Sequence, residues 1–119
     1  MKLDHLVILL SDLDRCMPFY ETLLPLLGVV KVRNHVFKTG EDVYLDFRAA
    51  DEPERGYFRY APGLNHLAFT AADEAEIRAV GRAMEAAGFT VPELQHFNDG
   101  SALFLRDIDG MRVELGCYS

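Results

Sequence analysis

Two stretches of the chain share one pattern of apolar and polar residues. Residues 3–8 read Leu-Asp-His-Leu-Val-Ile, and residues 63–70 repeat them closely, with His66 in the place of His5. Short apolar runs of this kind predict buried strands, and each leads into a helix start signal. The two histidines are separated by about half of the 119-residue chain. A repeat of that size predicts two copies of one supersecondary unit.

The first copy predicts a strand ending at Leu10, then a helix and three further strands. Ser11 is the predicted N-cap of the helix, with Asp14 at the capping-box position, and Gly28 is its predicted end. We expect a kink or a break near Pro25, because proline lacks the backbone donor that a helix needs. The three strands are predicted over residues 29–36, 37–39 and 43–49.

The second copy predicts the same order of elements. Asp73 and Glu76 form a box-like helix start, and Gly88 is the predicted helix end. Strands are predicted over residues 89–91, 101–106 and 111–116. The polar and aromatic stretch 50–62 is interpreted as a surface linker. The sequence therefore predicts an α+β domain over residues 1–119, with βαβββ modules at 1–49 and 63–119.

The closing strands of the two modules carry polar residues at alternating positions. Strand alternation places His5 and His66 on one face of their strands, and it gives each closing strand a polar and an apolar face. Because the apolar face must cover the helix, the polar faces are expected on the concave side of a curved mixed sheet. The polar residues of the first closing strand are Tyr44, Asp46 and Arg48, and Arg112 and Glu114 are those of the second.

Composition limits the classes of function. Half of the residues are apolar, which is enough for a real core, and the net charge of −7 argues against nucleic acid and against an anionic membrane surface. We see no transmembrane-length run and no signal peptide. Cys16 and Cys117 have neither metal-type nor redox-type spacing. A reduced, cytoplasmic location is the expectation.

The strongest motifs resemble one family. They are residues 3–6, residues 11–13 leading to Phe19-Tyr20, residues 65–69, and the stretch 105–115 that ends Arg112-Val113-Glu114-Leu115. With two βαβββ modules, these motifs are similar to the vicinal oxygen chelate superfamily, the glyoxalase, bleomycin resistance protein and extradiol dioxygenase type. The resemblance covers essentially the whole chain and implies a curved sheet cup with helices on the outer face.

The resemblance implies a divalent metal ion. His5, His66 and Glu114 fall on its metal-ligand positions. Asp46 falls where glyoxalase-like members place a Glu, and its shorter arm can bind directly, bind through water, or not bind. Two imidazoles with one or two carboxylates suit Zn, Fe, Mn, Ni or Co without selecting one of them. A lone strand histidine is more often a core or surface residue than a ligand, but here the candidates occupy equivalent positions in both modules.

Three further residues have two interpretations. Tyr44, Arg48 and Arg112 can hold an anionic small-molecule substrate, or they can serve as salt-bridge partners of the carboxylates.

The resemblance favours a glyoxalase-like lyase in which Glu114 moves a proton between neighbouring carbons. An Fe(II)-dependent dioxygenase and a metal-free binding protein of the bleomycin resistance type are the alternatives. Fosfomycin-type thiol transfer is less favoured, because Val7 and Phe104 stand where those enzymes use hydroxyl groups. The open sheet of one module has unpaired edges, and we expect a homodimer, with each site formed within one chain or shared between the two.

Overall fold

The computed structural model describes all residues from Met1 to Ser119 and contains two compact units, Met1–Gly56 and Tyr57–Ser119. Each unit is a βαβββ module, so the predicted α+β class and tandem modules are confirmed. The division between the units falls within the predicted linker of residues 50–62, where Pro53–Arg55 forms a short 3-10 turn. No helix is long and apolar enough to cross a membrane.

The first unit contains one helix and four strands. They are β1 (His5–Leu10), α1 (Leu13–Leu26), β2 (Val30–Arg33), β3 (Val36–Lys38) and β4 (Tyr44–Ala49). The sheet order is β1-β4-β3-β2, with β1 and β4 parallel and the other pairs antiparallel. The helix packs its buried Tyr20 against Phe47 of β4, with ring centroids 4.3 Å apart. The opposite face of the sheet carries His5 of β1 and the polar residues of β4, together with the exposed Val7 and Leu9 of β1.

The second unit repeats this topology. Its elements are β5 (His66–Thr70), α2 (Glu74–Ala86), β6 (Gln95–Phe97), β7 (Gly100–Arg106) and β8 (Arg112–Tyr118). The order is β5-β8-β7-β6, again with one parallel pair, β5 and β8. Val113 and Leu115 of β8 are buried, as are Ile77 and Met84 of α2. Glu114 lies between those two β8 residues and points to the other face.

The helix ends were predicted in part. Asp12, and not Ser11, is the N-cap of α1, and its carboxylate accepts a hydrogen bond from the Arg15 amide at 3.2 Å. The helix ends at Leu26, one residue after Pro25, so the expected break coincides with the end of the helix. Gly28 follows at a φ of 77°, the left-handed conformation that closes helices. The Asp73 cap of α2 is confirmed.

Two strand predictions are wrong. The predicted strand 29–36 is interrupted by a turn at residues 34 and 35, where His35 has a φ of 64°, and β3 begins at Val36. No strand covers residues 89–91, and β6 begins only at Gln95. The Val91 side chain lies 3.5 Å from the position that a Gly81 β-carbon would occupy. Its segment therefore packs on α2, and the apolar residues that suggested a strand serve a helix contact.

Candidate metal and substrate site

The parallel strands β5 and β8 bring His66 and Glu114 together. Ala68 lies opposite Glu114 in the register, so His66 is two residues away on the same face. The Nε2 atom of His66 is 3.0 Å from Oε1 of Glu114. The Glu114 side chain is only 9% exposed and that of His66 is 32% exposed. A buried carboxylate and a partly accessible imidazole therefore form one pair.

Asn65 determines which nitrogen of His66 carries the hydrogen. Its Nδ2 donates to the carbonyl of Arg59 at 2.9 Å, so its Oδ1 is the acceptor for the other contacts. That oxygen lies 2.7 Å from Nδ1 of His66 and 3.1 Å from Nη2 of Arg112. An amide oxygen only accepts hydrogen bonds, so Nδ1 is the donor. In the neutral ring, Nε2 then presents its lone pair to Glu114.

The two oxygens of Glu114 have different partners. The hydroxyl of Tyr118 donates to Oε2 at 2.6 Å, which leaves Oε1 for His66. This hydrogen bond is the main cause that raises the pKa of Tyr118 to about 12, so the hydroxyl keeps its proton at neutral pH. Oε1 of the carboxylate thus faces Nε2 of His66. Their short separation requires a proton or a cation between them.

A divalent ion fits this donor pair. Two ligand atoms about 2.1 Å from one ion and at right angles to each other lie about 3.0 Å apart. The observed distance between Nε2 and Oε1 is 3.0 Å. The hydrogen bond from Nδ1 to Asn65 is the kind of outer contact that orients a metal-binding imidazole. His66 and Glu114 are therefore suited to supply two ligands.

The first unit has a related arrangement with one difference. Nδ1 of His5 lies 2.8 Å from the carboxylate of Asp4, as Nδ1 of His66 does from Asn65. Asp46, however, accepts two hydrogen bonds from Arg48 on its Oδ2 atom, one from Nη2 at 2.7 Å and one from Nε at 3.2 Å. This contact is the main cause that lowers the pKa of Asp46. Asp46 is thus an ionised partner of Arg48.

The predicted site residues are divided between the units. His5, Tyr44, Asp46 and Arg48 lie in the first, and His66, Arg112 and Glu114 lie in the second. The structure contains no group of three or more His, Cys, Asp or Glu side chains that could hold a metal ion.

Of the three predicted substrate residues, Arg48 forms a salt bridge with Asp46. The Arg112 guanidinium carbon lies 4.8 Å from the ring centroid of Phe104, and its Nε is buried without a hydrogen-bond partner. The Tyr44 ring has Lys38 Nζ at 6.0 Å from its centroid. Arg112 is therefore the one of the three with an unused buried donor.

Sequence reasoning missed the residues that orient the candidate ligands. Asp4 and Asn65 immediately precede the two histidines, and the repeat of residues 3–6 in 64–67 contained that signal. Tyr118 lies on the same face of β8 as Glu114, but the predicted strand ended at Gly116, two residues too early. The missed residues are therefore those that act through a neighbour.

Comparisons with known proteins agree with this architecture. The chain is 27% identical over 114 residues to the Glutathione transferase FosA of Serratia marcescens. This alignment covers 96% of this chain and 79% of that protein. The fold superposes with a TM-score of 0.81 on a candidate glyoxalase from Bacillus halodurans, at 24% identity, covering 97% of this chain and 94% of the other. Lactoylglutathione lyase from Agrobacterium tumefaciens gives 0.67 at 23% identity, covering 98% and 92%.

These structural likenesses establish the fold, and the family profile establishes membership. The profile described as Glyoxalase/Bleomycin resistance protein/Dioxygenase superfamily matches residues 2–115, nearly the whole chain. The chain belongs to the Glyoxalase/Bleomycin resistance protein/Dioxygenase superfamily.

Proposed function

We propose that this chain is a metal-dependent lyase or isomerase of the glyoxalase type, acting on a small substrate with neighbouring oxygen atoms. The observation that supports it is the 3.0 Å contact between Nε2 of His66 and Oε1 of Glu114, with Nδ1 of His66 held by Asn65. His66 and Glu114 are the proposed ligands of a divalent ion, Zn, Fe, Mn, Ni or Co. His5 and Asp46 of the first unit stay predicted metal ligands, and Asp46 would first have to leave Arg48.

Bound at these residues, the ion supplies a Lewis acid that polarises the substrate oxygens. The chain supplies the proton transfer. Glu114 is the proposed base: its carboxylate accepts a proton from one carbon and returns it to the neighbouring carbon. Asn65 keeps the hydrogen of His66 on Nδ1, so that Nε2 remains a ligand atom. The guanidinium of Arg112, with its unused Nε, is the proposed contact for an anionic group of the substrate.

The names of two similar proteins suggest the first substrates to test. Lactoylglutathione lyase and the Glutathione transferase FosA both have glutathione in their names. An assay should therefore offer the hemithioacetal of glutathione and a 2-oxoaldehyde for isomerisation. A second reaction should offer glutathione and a small electrophile, which tests thiol transfer. Both are run on metal-free protein and after addition of each of the five ions.

Glu114→Gln is the most informative variant, because it keeps the shape and removes the charge and the base. We expect it to lower kcat by a factor of about 100 or more, within the range of general base catalysis. His66→Ala should abolish the dependence on metal. His35→Asn is the matched control, since asparagine tolerates the left-handed backbone of that turn and leaves the site unchanged. If no ion gives turnover, and His66→Ala binds aromatic ligands as well as the wild type does, the protein is a metal-free binding protein.

We also propose that the chain forms a homodimer. The edge strand β2 supports this, because all four of its residues are exposed, including Val30 at 62% and Val32 at 44%. A mass from light scattering at micromolar concentration equal to that of the monomer would contradict it.

A further inference from the structure

Three alternating positions of β8 form one set of connected contacts. Glu114, Gly116 and Tyr118 lie on the same face of the strand. The ring of Tyr118 folds back over Gly116, and its hydroxyl reaches Oε2 of Glu114 at 2.6 Å. A β-carbon on Gly116 would lie 2.6 Å from Cε2 of the ring and 2.8 Å from Oε2. Any residue other than glycine would therefore displace the ring, the carboxylate, or both.

The contact restricts a side chain that would otherwise rotate. A glutamate has three rotatable bonds, and its two oxygens are chemically equivalent until a partner distinguishes them. Here Tyr118 occupies Oε2, and Oε1 is left at 3.0 Å from Nε2 of His66. The Tyr118 ring is further supported by Phe97, whose centroid is 6.5 Å away.

The other unit lacks this device. Counting from the equivalent carboxylates, Asp46 and Glu114, the place of Gly116 is taken by Arg48 and that of Tyr118 by Ala50. Arg48 folds back on Asp46 and neutralises it. A tyrosine hydroxyl, in contrast, fixes Glu114 in position without cancelling its charge. The two units thus hold equivalent carboxylates by different means, and only the second leaves the charge available.

We propose that Tyr118 is a positioning residue for Glu114: its hydrogen bond to Oε2 directs Oε1 toward Nε2 of His66 and toward an ion bound by both atoms. This geometry requires glycine at position 116. That the bound ion is a divalent metal rests on the proposed function. The contact itself is independent of the ion. Partners of metal-binding carboxylates typically change metal affinity or activity by a factor of 10 to 100 when removed.

The experiment has a part with metal and a part without. Calorimetry should show that Tyr118→Phe binds Mn²⁺ and Zn²⁺ at least tenfold more weakly than the wild type does. Gly116→Ala should show a similar loss. Tyr60→Phe is the matched control, because it removes the hydroxyl of an 84% exposed tyrosine elsewhere in the second unit. In turnover, Tyr118→Phe should lower kcat more than it raises KM, since a displaced base affects the chemical step.

Without metal, the denaturation midpoint is measured for Tyr118→Phe in the wild-type and Glu114→Leu backgrounds. We expect Tyr118→Phe to lower the midpoint in the first background and to leave it unchanged in the second, where no acceptor remains. Equal losses in both backgrounds would overturn the positioning role. So would an unchanged metal affinity in Tyr118→Phe. If the wild type binds no ion while the midpoints depend on Glu114, the proposed function fails and the positioning contact stands.

Discussion

Asn65→Leu tests whether the side chain before His66 determines the ligand atom. The substitution removes three hydrogen bonds, to Nδ1 of His66 at 2.7 Å, to Arg112 at 3.1 Å and to the Arg59 carbonyl at 2.9 Å. His66 is then free to move its hydrogen to Nε2, which takes the lone pair away from Glu114.

The expected magnitudes follow from these contacts. Loss of an outer partner of a metal-binding histidine weakens metal affinity by a factor of about 10 to 100, or about 1.4–2.7 kcal/mol. Three hydrogen bonds on an exposed residue contribute about 1.5 kcal/mol to the free energy of unfolding, at the low end of 0.5 kcal/mol each. Asn65→Asp should retain the metal affinity, because Asp4 makes the same contact to His5 at 2.8 Å.

Calorimetric titration with Zn²⁺ and Mn²⁺ measures the affinities of wild type, Asn65→Leu and Asn65→Asp. Long-range nitrogen NMR of the metal-free protein reads the tautomer, and we expect hydrogen on Nδ1 of His66 in the wild type and in Asn65→Asp. If Asn65→Leu binds the ions as tightly as the wild type and keeps the same tautomer, the reasoning about Asn65 is refuted.

Further predictions concern the other carboxylate and a close backbone contact. Asp46→Asn should weaken metal affinity by a factor of about 3 or less, well below the effect of Glu114→Gln, because Asp46 is already paired with Arg48; an equal loss in calorimetry would contradict this. Since the pKa of Asp46 is lowered from 3.8, the stability it adds is present above that pH and is lost as pH falls through the lower folded-state value, so melting curves of wild type and Asp46→Asn should converge in acid. Gly100→Ala should destabilise the fold by about 2 kcal/mol or more in denaturant, since its β-carbon would lie 2.0 Å from a β8 carbonyl oxygen, whereas Gly40→Ala, with nothing within 4 Å, should be nearly neutral.

The sequence predicted the elements whose signals are local and repeated. The repeat around His5 and His66 located β1 and β5, and alternation assigned Glu114 to the polar face of β8. One error arose from a local turn at residues 34 and 35, and the other where tertiary packing decided the outcome. In the stretch 89–91, Val91 packs on α2 near Gly81, a contact that no periodicity reveals.

The candidate site was predictable at the level of residue type and not at the level of partners. Asp46 forms a salt bridge with Arg48, whereas Glu114 accepts a hydrogen bond from Tyr118. This difference depends on side-chain length and on the absence of a side chain at Gly116. Both outcomes share the same strand alternation, so the pattern alone could not distinguish them. Which oxygen of Glu114 faces His66 is likewise a matter of side-chain packing.

In the proposed function His66 and Glu114 bind the same ion, and a crystal structure of the protein incubated with Mn²⁺ or Zn²⁺ would show whether they do. We expect an anomalous difference peak about 2.0–2.2 Å from both Nε2 of His66 and Oε1 of Glu114. A well-ordered site in which those two atoms still contact each other directly, with no peak beside them at saturating metal, would contradict it.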